Sequence, residues 1–320
     1  MFLRAELIHK DILQRLSKLF ATGRLAHAYV FTGPGGIGKA ETALALAQAV
    51  NCLGPGGYMP GCGCPSCRRI LDGNHPDIYI IEKMEDKNEL LIEQVRELIR
   101  HLSLRPLEAR VRTAIIRHAD QLTTQASNAF LKTLEEPRSG TLLILTSAAP
   151  GNVLKTVFSR CHEVRFFPPG NSVLAERLKD EYDISSSAAG ILAKFSGGSP
   201  ARVAGLGKAF IARKNDVIDE FIFGPSTELL LKKWSSDKEA AAELLNVVLM
   251  FYRDVLCVKV GAGVEALYNS DRQADIARVA AKQTKESIEA VLGQAVQAVE
   301  ALGENFNLKV ALTLLKEYMG

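Results

Sequence analysis

The segment Gly33-Pro-Gly-Gly-Ile-Gly38-Lys39 constrains the fold of this chain more than any other. It matches the phosphate-loop pattern G-x4-G-K and lies between an apolar run, Ala28-Tyr-Val-Phe-Thr32, and a helix-forming run from Lys39 to Val50. A strand, a glycine-rich turn and a helix in that order aim backbone N–H groups and a helix N-terminus at one point. Such an arrangement cradles a phosphate, and a lysine at its end reaches the outer oxygens. Gly33, Gly38 and Lys39 are therefore the candidate nucleotide-binding residues.

The alternation of strand and helix patterns continues beyond the loop. Asp77-Ile-Tyr-Ile-Ile81, Val111 to Ile116 and Thr141 to Thr146 read as strands. Leu7 to Leu25, Leu91 to Leu102, Gln125 to Leu134 and Gly151 to Phe158 read as helices, the third stopped by Pro137. This order predicts an α/β domain built on a mostly parallel sheet with helices on both faces, closing near Val164-Arg-Phe-Phe-Pro168. After the break at Pro168-Pro-Gly-Asn-Ser172 only helical patterns follow. They include Leu174 to Glu181, Ser186 to Phe195, Ala240 to Val260 and Ala274 to Leu302. The expected organisation is an α/β domain over residues 1–168, carrying an inserted Gly/Pro/Cys-rich loop at 52–67. A small helical domain at 169–211 and a larger all-helical domain at 212–320 complete it.

The chemistry of the phosphate loop is incomplete. Position 40 is alanine, where a hydrolytic loop places a Ser or Thr hydroxyl on Mg2+. Thr42 lies two residues further along and points to a different helix face. The strand Thr113 to Ile116 should end in carboxylates that hold the metal; instead it runs into Arg117-His118-Ala119-Asp120. The expectation is a chain without intrinsic ATPase activity, in which ATP binding in cis is absent or non-productive.

Four of the six cysteines crowd together as Cys52, Cys62, Cys64 and Cys67. In a chain whose N-terminus lacks the apolar core of a secretory signal, this clustering favours a structural Zn2+ site over disulfides or free thiols. Cys62 and Cys64 are one residue apart, closer than usual in zinc knuckles, so His75 is an alternative fourth ligand. Cys161 and Cys257 stand alone.

Lys and Arg total 39 against 36 Asp and Glu, a net charge of +3, and aromatic residues make up 7%. That balance offers neither a basic stripe nor a stacking platform, and so argues against a dedicated zinc-dependent nucleic-acid-binding module. No stretch approaches the roughly 20 apolar residues of a membrane span. A cytoplasmic location is expected.

Several motifs in fixed order resemble one family. They are His27-Ala-Tyr-Val-Phe-Thr-Gly-Pro34, the cysteine cluster, Gly73-Asn-His-Pro-Asp77, Ser103-Leu-Arg-Pro-Leu107, Asn128 to Pro137 and Ser159-Arg-Cys161. Together they look like the delta-prime subunits of bacterial DNA polymerase III, densely over residues 25 to 168 and more loosely at Tyr252 to Leu256 and Asn305 to Asn307. The resemblance implies a RecA-like AAA+ domain, a helical lid and a helical collar that joins subunits. It implies a non-catalytic subunit of a clamp loader, a ring that uses ATP to place a sliding clamp on primed DNA. The implied partners are ATPase subunits and a delta subunit, with the clamp and the DNA met through the complex. Arg160 matches the family's arginine finger, which would act in trans on a neighbour's ATP. In the lid, Ala201 stands near the position of a sensor arginine, with Arg202 beside it. The competing reading is an autonomous AAA+ ATPase using its own phosphate loop; Ala40, Arg117 and His118 speak against it.

Overall fold

The computed structural model describes residues 9–54, 62–83, 89–207, 209–303 and 307–319. They form two compact units: residues 1–174 with 197–205, and residues 175–196 with 206–320.

The first unit is built on five parallel strands: β1 (Ala28–Thr32), β2 (Ile78–Ile81), β3 (Arg112–Ile116), β4 (Thr141–Ser147) and β5 (His162–Arg165). Their spatial order is β2-β3-β4-β1-β5, the RecA-like AAA+ arrangement. Every residue of β1 and β3 is buried, as expected of strands covered on both faces.

Successive side chains of a strand point to opposite faces, so each face recruits its own helices. On one face Ala28, Val30, Ala114, Ile116, Leu143 and Leu145 pack with helices α4 (Ile92–Leu102) and α5 (Thr124–Glu135). On the other, Tyr29, Phe31, Ile115, Leu142 and Ile144 pack with α1 (Lys10–Ala21) and α2 (Lys39–Asn51). Helix α4 shows the periodicity that drives this: Val95, Leu98 and Leu102 are its buried residues, and they fall on one stripe. Helix α5 starts at the Thr123 cap, whose hydroxyl accepts from the Ala126 N–H at 3.1 Å.

Three elements depart from the sequence expectation. The helix expected over Gly151–Phe158 is a 3-10 turn at Pro150–Asn152 followed by a short α6 (Lys155–Phe158). The break is at Val153, which is extended. The segment expected as loop up to Cys67 contains the start of α3 (Pro65–Leu71), with proline at the first helical position. The pattern from Ala274 to Leu302 is two helices, α13 (Gln273–Lys282) and α14 (Lys285–Gly303). Gln283 is extended there, and the Thr284 hydroxyl accepts from the Ser287 N–H at 3.2 Å, starting a new helix.

The second unit is all-helical. Helix α7 (Asn171–Tyr182) enters it and α8 (Ser186–Phe195) follows, while α9 (Pro200–Leu206) falls largely in the first unit. The remainder comprises α10 (Phe210–Asp216), α11 (Glu228–Ser235), α12 (Lys238–Lys259), α13, α14 and α15 (Leu308–Met319). Buried Leu244, Val248, Phe251 and Val255 of α12, Ile288 and Val291 of α14 and Leu312 and Leu315 of α15 supply its core. Among the described residues no helix is long and apolar enough to cross a membrane.

Candidate functional site

The loop from Gly33 to Gly38 joins β1 to α2, as the phosphate-loop reading requires, and its carbonyls are already engaged. The Lys39 ammonium donates to the carbonyls of Gly33 at 2.6 Å and Pro34 at 2.5 Å. The Gly36 carbonyl accepts from the Ser199 hydroxyl at 3.0 Å and the Ala201 N–H at 3.2 Å. The Ile37 carbonyl lies 2.7 Å from His9 Nε2, and the Gly38 carbonyl accepts from the Thr42 hydroxyl at 2.8 Å. Burial pushes the Lys39 pKa down, with Asp120 and Glu41 acting against it.

Two loop positions require glycine outright. A Cβ on Gly33 would lie 2.3 Å from the Phe166 carbonyl oxygen, and one on Gly36 would lie 2.5 Å from Ser199 Oγ. Both have positive φ, 140° and 72°. Ser199 and Ala201, at the start of α9, thus belong to the loop's surroundings. The family resemblance singles out Ala201, but no local pattern shows that it and Ser199 bond Gly36, which is 163 residues from Ser199.

The residues at the positions expected to hold Mg2+ are Ala40, Arg117 and His118. Ala40 offers no hydroxyl, and that of Thr42 donates to the Gly38 carbonyl one turn back. Beyond β3, Arg117 Nη1 donates to Glu82 at 3.0 Å, and the His118 N–H donates to Thr146 Oγ1 at 3.3 Å. Asp120, the nearest acid downstream, accepts from the Ala148 N–H at 3.1 Å. At the start of α9 Ala201 sits against the loop, while Arg202 is exposed.

Arg160 follows α6 and precedes β5. Its Nε donates to Glu135 Oε1 at 2.8 Å and its Nη1 to the Thr156 carbonyl at 2.8 Å, and about a third of the side chain is exposed. The neighbouring Cys161 packs against the core between the sheet and α5, and burial pushes its thiol up to about 12. It is therefore a neutral anchor for the backbone that carries Arg160. Glu135 lies in the Asn128–Pro137 motif, but nothing in the sequence pairs it with Arg160.

The thiol sulfurs of Cys52, Cys62, Cys64 and Cys67 all lie within 4.8 Å of one another. Four thiolates at about 2.3 Å from a tetrahedral Zn2+ would be about 3.8 Å apart, so the cluster fits such an ion with little movement. The sulfurs of Cys52 and Cys62 are 3.5 Å apart, and Cys64 accepts from the Cys67 N–H at 3.5 Å. Burial raises the thiol of Cys64, but the N–H groups directed at it bring it down to about 6. Burial raises Cys52 and Cys67. His75, the alternative ligand, is buried, and its Nδ1 accepts from the Asp77 N–H at 3.2 Å. Four cysteines close enough to hold a metal ion are thus available without it.

Comparison with known proteins bears on the whole chain. Residues 8–170 match the family model described as DNA polymerase III, delta subunit, and residues 210–317 match the one for the C-terminal part of the delta subunit. DNA polymerase III subunit delta' of Bacillus subtilis (strain 168) is 30% identical over 313 residues, 93% of this chain and 92% of the relative. The chain belongs to the DNA polymerase III delta-prime family. Subunit delta' of Escherichia coli (strain K12) is 28% identical over 310 residues, 95% of this chain and 92% of the relative. Subunit tau of Bacillus subtilis is 24% identical over 81% of this chain but only 50% of its own length. In fold, the chain is similar to a DNA polymerase III gamma subunit-related protein from Thermotoga maritima, with a TM-score of 0.51 at 18% identity. That match covers 96% of this chain and 99% of the other. The delta-prime family therefore accounts for both units.

Proposed function

We propose that this chain is the non-hydrolysing subunit of a cytoplasmic bacterial clamp loader and that it donates Arg160 to the ATP site of a neighbouring subunit. The observation that supports this reading is the set of residues at two places in the first unit. Ala40 follows its phosphate loop, and Arg117 and His118 follow β3, where metal ligands would stand, while Arg160 is partly exposed at the end of α6. An arginine delivered to a transferring phosphoryl group supplies fixed positive charge where negative charge develops. It is worth about 10³ to 10⁵ in rate.

In this reading residues 1–168 form the AAA+ domain, 169–211 the lid and 212–320 the collar that joins ATPase subunits and a delta subunit into a ring. The four-cysteine cluster holds a structural Zn2+. The Gly33–Lys39 loop serves the fold rather than hydrolysis. Sliding clamp and primer-template DNA are met through the assembled complex.

The test is reconstitution with the ATPase and delta subunits. Arg160→Ala is expected to leave assembly intact and to slow ATP hydrolysis and clamp loading. Unchanged rates in an intact assembly would remove the assignment.

A further inference from the structure

Resting on the assignment of Arg160 as a donated arginine, we infer that Glu135 is its positioning residue, holding the guanidinium in the one orientation from which a neighbour's phosphate can be met. Arg160 Nε and Nη2 both meet Glu135 Oε1, at 2.8 Å and 2.5 Å, and Nη1 donates to the Thr156 carbonyl at 2.8 Å. A guanidinium has five N–H donors in a rigid plane. Nε and Nη1 each donate one of them and Nη2 stands in ion-pair contact with the carboxylate, so the terminal nitrogens keep donors for an outside oxygen.

The two anchors come from separate elements, and both are fixed. Glu135 is the last residue of α5, where the Leu134 carbonyl is 3.0 Å from His27 Nε2 on the approach to β1 and Pro137 forbids continuation. Thr156 belongs to α6, whose carbonyls present negative charge at its C-terminal end. Val157 of the same turn is fully buried, and Cys161 packs on the core just beyond. An arginine held from two fixed points keeps its plane. The same side chain without Glu135 would rotate about its long stem, and loss of geometry of this kind slows transfer steps.

An ion pair this exposed contributes little to stability, since solvent screens it. Its place at the tip of a donated arginine is therefore accounted for by orientation rather than by folding, and the two roles separate experimentally.

The experiment uses the full clamp-loader complex, assembled with this chain or its variants, the sliding clamp and primed DNA. The maximal loading rate and the ATP concentration giving half of it are measured. Glu135→Ala is expected to lower the maximal rate about tenfold, short of the loss in Arg160→Ala. The half-maximal ATP concentration should stay within about twofold, because binding of ATP in the neighbour does not use Glu135. Glu135→Gln, which keeps an acceptor oxygen, should recover most of the rate, and Glu135→Ala should add nothing in an Arg160→Ala background. If Glu135→Ala fails to assemble, Glu135→Asp, which shortens the side chain but keeps its charge, is judged by the same criterion. Full activity in Glu135→Ala alongside a slowed Arg160→Ala overturns the positioning role and leaves the donated arginine standing. Full activity in Arg160→Ala overturns both.

Discussion

Asp77 and Arg112 form an ion pair from which water is almost wholly excluded, with Arg112 Nη2 2.7 Å from Asp77 Oδ1. The carboxylate also accepts from the backbone N–H groups of Leu107, Glu108 and Ala109 at 2.8–3.0 Å. Arg112 Nη1 donates to the Leu104 carbonyl at 2.6 Å. The pair thus ties the start of β2 and the start of β3 to the Ser103–Leu107 segment between them. Removing one member strands the other. Asp77→Ala is expected to cost about 3–5 kcal/mol of unfolding free energy, read from urea denaturation of the isolated chain. A loss below about 1 kcal/mol would contradict the account.

The same carboxylate gives the protein an acid limit. Burial alone would raise its pKa, but the three N–H groups and Arg112 outweigh burial and hold it down at about 2. A depressed carboxyl contributes stability above its unfolded pKa and loses it as pH falls toward the folded value. Asp77 should therefore contribute fully at neutral pH, with its share disappearing between about pH 4 and about pH 2. The acid-unfolding profile of Asp77→Asn should be flatter over that window than that of the parent chain.

Metal analysis of the purified chain should find about one Zn2+, held by Cys52, Cys62, Cys64 and Cys67. Cys64→Ser should lose the ion and lower the melting temperature, because the sulfur both joins the cluster and accepts from the Cys67 N–H at the start of α3. Loss of the ion with an unchanged melting temperature would mean that the cluster does not support the fold.

Restoring the hydroxyl alone should not restore hydrolysis. Ala40→Thr is expected to leave the ATPase activity of the isolated chain at background, since Arg117 and His118 still occupy the acidic positions. Lys39→Ala should instead appear as a stability change of about 1.5–3 kcal/mol, because a buried ammonium bonded to the Gly33 and Pro34 carbonyls is lost. Measurable turnover in Ala40→Thr would overturn the view that the site is disabled twice over.

The parts legible in the sequence were those whose signal is local. Ala28–Thr32, Arg112–Ile116 and Thr141–Ser147 are apolar runs buried on both faces, and they emerged as central strands. The edge strand His162-Glu-Val-Arg165 was less distinct, because it pairs only with β1 and three of its four residues are exposed. Cys64 and Pro65 carry a helix-start signal that their setting among glycines and cysteines obscured. What escaped the sequence entirely were partnerships across long separations. Glu135 meets Arg160 across 25 residues and Ser199 meets Gly36 across 163, and neither leaves a periodic trace.

The engaged carbonyls of the Gly33–Lys39 loop have a consequence for genetics. With His9, Lys39, Ser199 and Ala201 all bonded to it, the loop acts as a joint that ties His9, ahead of α1, and the start of α9 to the sheet. Selection on folding alone can then keep the glycine signature intact, whether or not the loop serves catalysis. Lesions recovered there would resemble active-site mutants in map position but behave as temperature-sensitive folding alleles, suppressible by stabilising changes elsewhere in the sheet.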